Sequence, residues 1–173
     1  PAGINCNPKR MIETSMADTG SPHAEMIDVV LMRHGEAQAL AGKDAARPLT
    51  QWGRDAVQAA AAALAKKAPS AQGVRSSPYL RARQTAEIVS EVLNLPLLPE
   101  SAELVPSGDS DQLVAWLLAE AQPVIWVFHM PLIGRLIHDL TGCDVFPKTA
   151  SVFGLKLFPG APSRHQHQLE WQL

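Results

Sequence analysis

The chain has 173 residues, 46% of them hydrophobic and 18% charged, which fits one globular domain with one core. A formal net charge of −2 lacks the basic excess of a general nucleic-acid binder, and no apolar run approaches the ~20 residues of a membrane-spanning helix. Two cysteines are too few for a disulfide framework or a zinc site, so we expect a cytoplasmic protein. The charge and the apolar runs predict that it binds neither nucleic acid nor membrane.

The first 25 residues differ from the rest of the chain. They contain no hydrophobic periodicity and no apolar block, and they lack the apolar core of 7–15 residues that a signal peptide requires. We therefore predict a disordered extension over residues 1–25 and a folded domain over residues 26–173.

The first predicted strand, at about Asp28–Arg33, ends in the most informative motif of the chain. Arg33, His34 and Gly35 would lie together at the carboxyl end of that strand, where α/β folds bind their ligands. A neutral imidazole can attack phosphorus, and a guanidinium can bind phosphate oxygens with its planar fork. Gly35 would supply a flexible turn after the strand.

The second motif begins after a helix predicted over Val57–Lys67, with Thr50 as a candidate N-cap, and a short strand at Gly73–Ser76. Ser77 and Pro78 favour the start of a helix that runs to about Leu93. Its first turns contain Arg81, where the free amides and the macrodipole favour a bound anion. Arg83 lies two residues further and points elsewhere, so at most one of these arginines faces the site.

The remaining elements follow in order. Leu97-Leu98 is a candidate short strand, and Asp109 or Ser110 caps a third helix. The apolar run Val124–Phe128 predicts a buried central strand that ends at His129. A helix over Leu132–Leu140 and two strands forming an antiparallel hairpin complete the domain, the strands at Ser151–Phe158 and His167–Trp171. Strands that alternate with helices predict a mostly parallel sheet with helices on both faces.

The ordered set of motifs resembles the histidine phosphatase superfamily, the phosphoglycerate-mutase-like proteins, and within it the small SixA-type phosphohistidine phosphatases. The set comprises a strand followed by Arg-His-Gly, then Ser-Pro-x-x-Arg-Ala-x-x-Thr-Ala, then a strand followed by His. Shorter strings support it: Arg47-Pro48-Leu49-Thr50, Asn94-Leu95-Pro96 and Leu104-x-Pro106-x-Gly108-Asp109. The resemblance implies a three-layer α/β sandwich in which the first and the last parallel strand are neighbours, which would bring His34 and His129 together.

The resemblance also implies the chemistry. His34 would be the nucleophile of a phosphatase, with one ring nitrogen held by a backbone carbonyl, and would form a phosphohistidine that water hydrolyses. Arg33, Arg81 and His129 would surround the phosphoryl oxygens and supply most of the catalysis. We expect neither a metal nor another cofactor.

A general acid is harder to find. Glu103 and Asp109 are the candidates for a mid-chain acid, and Met130 occupies the position where another branch of the superfamily has an aspartate. The lack of a clear general acid favours a substrate with a P–N bond, because the departing imidazole can already carry a proton. The short loops leave no room for a cap, which suits a phosphate on a protein surface.

We therefore predict a monomeric phosphatase acting on a phosphohistidine-bearing protein, either a phosphotransfer domain or a carrier. The alternatives are a small-molecule phosphomonoesterase of the same superfamily, which would take a small phosphate ester, and a phosphate-binding module without turnover. The intact His34 argues against the binding module.

Overall fold

The computed structural model describes residues 26–39, 42–68, 70–120, 123–158 and 165–173, so the extension predicted over residues 1–25 lies outside the described residues. The elements, in chain order, are β1 (Ile27–Arg33), α1 (Gln51–Leu64), β2 (Val74–Ser76), α2 (Leu80–Leu93), α3 (Ser110–Ala119), β3 (Ile125–Phe128), α4 (Leu132–Thr141), β4 (Val152–Leu157) and β5 (Gln168–Gln172). Short 3-10 turns occupy Asp44–Ala46 and Ala102–Leu104. Among the helices described, none has both the length and the apolar character needed to cross a bilayer.

The five strands form one sheet in the order β2-β3-β1-β4-β5. β2, β3 and β1 are parallel, β4 is antiparallel to β1, and β5 is antiparallel to β4. Four strands therefore run in one direction, which confirms the predicted mostly parallel sheet and its C-terminal antiparallel hairpin. β1 and β3 are neighbours, as the resemblance implied, so the residues that follow them lie side by side.

Helices cover both faces of the sheet, because alternate residues of each central strand point to opposite sides. On one face, Trp126 and Phe128 of β3 pack with apolar residues of α3 and α4. On the other face, Ile125 and Val127 pack with α1 and α2. All four of these β3 side chains are fully buried, which explains the continuous apolar run and confirms the three-layer architecture.

Two boundaries differ from the prediction. α1 begins at Gln51, directly after the predicted cap Thr50, whose hydroxyl accepts a hydrogen bond from the Gly53 amide at 2.9 Å, so the helix starts before the predicted alanine-rich run Val57–Lys67. The predicted strand at Leu97-Leu98 is wrong, since Leu97 makes only an isolated bridge with Val74 of β2.

The predicted cap at Thr50 is confirmed, and the other two predicted caps have opposite outcomes. Asp109 caps α3, and its carboxylate accepts a hydrogen bond from the Asp111 amide at 2.8 Å. Ser77 does not cap α2, which has Tyr79 at its N-cap and no side-chain hydrogen bond there. The Ser77 side chain turns to the end of β3 instead.

Candidate active site

The carboxyl ends of three adjacent parallel strands deliver polar side chains to one place. Arg33 and His34 come from the end of β1, His129 follows β3, and Ser77 follows β2. A half-open cavity of about 330 Å³ lies there, lined by Arg33, His34, Glu36, Ala37, Arg47, Arg81, His129, Met130 and Thr149. A second cavity, of about 270 Å³ near Asp28 and Lys156, contains none of the motif residues.

His34 is buried, with only 7% of its surface exposed, and its ring is fixed by the chain itself. Nδ1 lies 2.6 Å from the Gly35 carbonyl oxygen, so Nδ1 donates its proton and Nε2 keeps its lone pair. The predicted backbone partner for one ring nitrogen is therefore present. Burial is the main cause that lowers the pKa of His34 to about 4, and the positive charges of Arg81 and Arg33 contribute to this shift, so the imidazole is neutral near pH 7.

Gly35 is needed for space rather than for a flexible turn. A Cβ atom at this position would lie 2.7 Å from the Gly53 carbonyl oxygen and 2.7 Å from a methyl group of Val57. Gly53 faces the same contact, because its own Cβ atom would lie 2.1 Å from the Glu36 carbonyl oxygen. The Gly35 amide also donates to the Thr85 hydroxyl at 3.1 Å, which ties the turn to α2.

Arg81 reaches the cavity from the first turn of α2, and only 4% of its surface is exposed. Its Nε donates to Nε2 of His34 at 3.2 Å. Its terminal nitrogens donate to the Asp44 backbone carbonyl at 2.7 Å and to the Asp44 carboxylate at 3.0 Å. The guanidinium also lies 4.9 Å from the centre of the Tyr79 ring. These contacts fix the plane of the fork beside the nucleophile.

Asp44 joins two arginines of the cavity. Its carboxylate forms ion pairs with Arg81 and with Arg47, each at 3.0 Å. The hydrogen bond from Arg47 holds the pKa of Asp44 below its usual value, and the bond from Arg81 acts in the same direction. The carboxylate is therefore charged and partly offsets the positive charge of the cavity.

Arg33 contributes a second guanidinium from the end of β1. One terminal nitrogen donates to the Pro147 carbonyl at 2.8 Å, while Nε is buried and has no partner among the described residues. Burial and the charge of Arg81 lower the pKa of Arg33, which still remains protonated at any physiological pH.

His129 lies against His34, with 4.8 Å between the two ring centroids. Its Nε2 is 2.5 Å from the Ser77 hydroxyl, while Nδ1 is buried without a partner in the described part of the chain. Burial is the main cause that lowers the pKa of His129 to about 2, and the nearby His34 and Arg81 act in the same direction. The second imidazole is therefore also neutral.

The other residues named from the sequence lie elsewhere. Arg83 is exposed and pairs with Glu100 at 2.8 Å, in agreement with the expectation that only one arginine of this pair faces the site. Neither Glu103 nor Asp109 lines the cavity: both are exposed, and Asp109 is occupied as the cap of α3. The structure therefore does not bring either candidate general acid to His34.

Three residues that the structure brings to the site were not predicted as site residues. Arg47 belonged to a supporting string, and its position at the end of the loop before α1 was the available signal. Asp44 and Ser77 had weaker signals, because their contacts with Arg81 and His129 join parts of the chain 37 and 52 residues apart.

The comparisons with known proteins agree with this geometry. The family model described as histidine phosphatase superfamily (branch 1) matches residues 29–102. Phosphohistidine phosphatase SixA of Escherichia coli K12 is 39% identical over 119 residues, which cover 66% of this chain and 74% of that protein. The chain belongs to the histidine phosphatase superfamily. The phosphohistidine phosphatase SixA homolog of Haemophilus influenzae is 27% identical to this chain over 128 residues, which cover 67% of this chain and 78% of that protein.

Solved structures of the superfamily have the same architecture. A protein histidine phosphatase SixA complexed with tungstate superposes with a TM-score of 0.75 at 33% identity and covers 85% of this chain and 96% of its own. A mycobacterial glucosyl-3-phosphoglycerate phosphatase shares the fold, with a TM-score of 0.63 at 19% identity over 84% of this chain and 98% of its own. The superfamily member described here is a phosphatase with the phosphoglycerate-mutase-like fold.

Proposed function

We propose that this phosphatase removes the phosphoryl group from phosphohistidine on a signalling or carrier protein, and that residues 26–173 form its catalytic domain. The observation that carries the proposal is the neutral His34, whose Nδ1 is bonded to the Gly35 carbonyl so that Nε2 is the nucleophilic atom. The similarity to phosphohistidine phosphatase SixA supports the substrate class.

The reaction has two steps. The lone pair on Nε2 of His34 attacks phosphorus, and the P–N bond to the substrate imidazole breaks, its electron pair leaving with that imidazole. Water then attacks the phosphoryl group on His34, which releases inorganic phosphate and restores the neutral ring. Arg33, Arg81 and His129 bind the phosphoryl oxygens, where charge accumulates in the transition state, so the proposed reaction requires no metal.

Arg81 changes partner when the substrate binds. In the free protein its Nε–H donates to the Nε2 lone pair of His34, which is the lone pair that attacks phosphorus. A phosphoryl oxygen beside His34 accepts that N–H instead and frees the nucleophile. The bonds to Asp44 hold the guanidinium in place during the exchange.

The acidic side chains favour a P–N substrate over an ester. Glu103 and Asp109 do not line the cavity, and the carboxylate of Asp44 is held ionised between two arginines. Glu36 does line the cavity, but its carboxylate is exposed and accepts a hydrogen bond from the Thr50 hydroxyl at 2.9 Å. An alkoxide leaving group requires a proton from a general acid, whereas an imidazole leaving group can already be protonated. A phosphohistidine therefore suits this cavity better than a phosphate monoester.

The surface around the cavity favours a protein substrate. Small ligands are normally engulfed, and this cavity is half open. Two exposed aromatic residues each precede, in the chain, a residue that contacts the cavity lining. Phe146, 92% exposed, precedes the Pro147 whose carbonyl binds Arg33, and Trp52, 73% exposed, precedes the Gly53 that contacts Glu36. Exposed aromatic side chains next to a catalytic cavity are suited to contact a protein partner.

The test is phosphate release from a histidine-phosphorylated phosphotransfer domain, with p-nitrophenyl phosphate assayed in parallel. We expect rapid release from the protein, slow release from the ester, and no release from either with His34→Ala, because the nucleophile is missing. The double variant Trp52→Ser and Phe146→Ser should raise KM for the protein and leave ester hydrolysis unchanged.

Efficient ester hydrolysis without action on phosphohistidine would contradict the proposal and identify a small-molecule phosphomonoesterase. Absence of turnover with both substrates would also contradict it and leave a phosphate-binding module. Release that persists in His34→Ala would exclude His34 as the nucleophile.

A further inference from the structure

The hydrogen bond between Ser77 and His129 bears on how the second imidazole could bind phosphate. Ser77 is fully buried, and its Oγ has two neighbours among the described residues: Nε2 of His129 at 2.5 Å and the Tyr79 amide, which donates to it at 3.3 Å. Because Ser77 occupies Nε2, only Nδ1 of His129 remains to contact a ligand. A neutral imidazole carries one proton, so Nδ1 is either a donor or an acceptor.

The two tautomers of His129 leave different numbers of buried groups without partners. If the proton is on Nε2, it is donated to Ser77 Oγ, and the hydroxyl proton of Ser77 has no acceptor among the described residues. Nδ1 then also has a bare lone pair without a donor. If the proton is on Nδ1, the Ser77 hydroxyl accepts from Tyr79 and donates to Nε2, and Nδ1–H is the only unpaired group. The second arrangement leaves fewer unpaired buried groups, which are costly in a protein interior.

We propose that Ser77 is a positioning residue that keeps the proton of His129 on Nδ1, so that Nδ1–H donates a hydrogen bond to the phosphoryl group. The inference rests on the proposed phosphoryl-transfer function. A bare lone pair at Nδ1 would repel phosphoryl oxygens, whereas an N–H at the same position attracts them. Ser77 acts through His129 and does not itself touch the phosphate.

The two imidazoles of the cavity then have the same tautomer for opposite purposes. His34 donates its Nδ1 proton to the Gly35 carbonyl, which leaves Nε2 bare for attack. His129 accepts a hydrogen bond at Nε2 from the Ser77 hydroxyl, which leaves Nδ1–H for the ligand. The difference follows from which nitrogen meets the protein and from whether the protein group accepts or donates.

The proton position can be measured in the free protein by long-range ¹H–¹⁵N correlation NMR of the histidine rings. We expect the Nδ1–H tautomer for His129 in the wild type. Ser77→Ala removes the donor to Nε2 and should increase the share of the Nε2–H tautomer. Ser76→Ala is the matched control, because Ser76 is also buried and precedes Ser77 directly. It should leave the His129 tautomer unchanged.

A binding measurement checks the consequence for the ligand. Tungstate, a phosphate mimic, should bind Ser77→Ala about ten- to hundredfold more weakly than the wild type, the range expected for a lost hydrogen bond to a charged group. Ser76→Ala should retain wild-type affinity. An equal loss in both variants would indicate a general effect of mutations at the end of β2 and would contradict the proposal.

The wild-type spectrum alone can overturn the inference, even if Ser77→Ala fails to fold. A proton on Nε2 of His129 would exclude Ser77 as the donor. The spectrum does not depend on turnover, so an inactive protein with the Nδ1–H tautomer would contradict the proposed function and leave the role of Ser77 supported.

Discussion

Arg33 and Arg81 bring the same functional group to one cavity but are held in different ways. Arg81 uses Nε and both terminal nitrogens on fixed partners, His34 and Asp44. Among the described residues, the guanidinium of Arg33 donates one hydrogen bond, to the Pro147 carbonyl, and its buried Nε has no partner. The first guanidinium is fixed in its plane, whereas the second has unused donors.

The difference indicates two ways of binding a phosphoryl group. A guanidinium whose plane is fixed before the substrate arrives loses no freedom on binding and stabilises charge that develops in one direction. A guanidinium with unused donors gains partners from the ligand, because phosphoryl oxygens can pair the buried Nε–H that the protein leaves unpaired. We expect Arg81 to contribute mainly to kcat and Arg33 mainly to affinity.

Replacement of each arginine by lysine should give the largest difference. Arg81→Lys should lower kcat by on the order of 10²–10³, because an ammonium cannot reproduce three hydrogen bonds in one plane. Arg33→Lys should lower kcat by only about tenfold, because lysine retains the positive charge near the ligand. Steady-state kinetics on a histidine-phosphorylated protein measures both. Equal losses of kcat in the two variants would show that the two arginines have the same role.

Asp44→Asn tests what fixes Arg81. Asparagine keeps the size of the side chain and removes the charge that pairs with Arg81 and Arg47. We expect inorganic phosphate to inhibit this variant about threefold to tenfold more strongly, because a negative charge near the anion is removed, while kcat falls a few-fold, within the range of exposed ion pairs. Product inhibition and initial rates separate the two effects. Weaker phosphate inhibition would mean that Asp44 supports the anion site by geometry alone.

The smallest expected effect is on the pKa of His34, which the two arginines should influence to different degrees. Because burial and the charge of Arg81 hold its pKa at about 4, its ring signals in NMR should not change from about pH 8 to about pH 5.5, where a free histidine titrates. Protonation on further acidification removes the nucleophilic lone pair, so activity falls as the pH decreases toward 4. A His34 titration with its midpoint near pH 6.5, the value of a free histidine, would contradict the lowered pKa. Replacing Arg81 should raise the pKa of His34 more than replacing Arg33.

Much of this architecture could be predicted because local sequence determines it. The apolar runs of β1 and β3 end at His34 and His129, and parallel strands place such residues at one edge of the sheet. Residues two apart on a helix point in different directions, so only one of Arg81 and Arg83 could face the site, and the first-turn position and the family motif favoured Arg81. The carbonyl partner of His34 is the next residue in the chain, and its contact requires no knowledge of the fold.

Other features could not be predicted because they depend on contacts between distant segments. Ser77 before Pro78 has the pattern of a helix cap, yet the sheet order brings it beside His129, and its hydroxyl bonds to that imidazole as well as to the Tyr79 amide without capping α2. Asp44 lies in a short turn whose sequence gives no indication of a partner in α2. The predicted helical run left out the first turns of α1, although its cap Thr50 was predicted, because those turns contain a glycine and an exposed tryptophan instead of apolar periodicity.

The contact between Gly35 and Gly53 limits how the protein can vary. No side chain separates the turn after the nucleophile from the backbone of α1, so neither segment can shift without the other. A side chain could rearrange to absorb a small displacement, whereas two backbones in contact cannot. The position of His34 is therefore set in part by the first turn of a helix that supplies no ligand to the phosphoryl group. Selection for turnover should constrain that turn as strictly as the residues that bind phosphate.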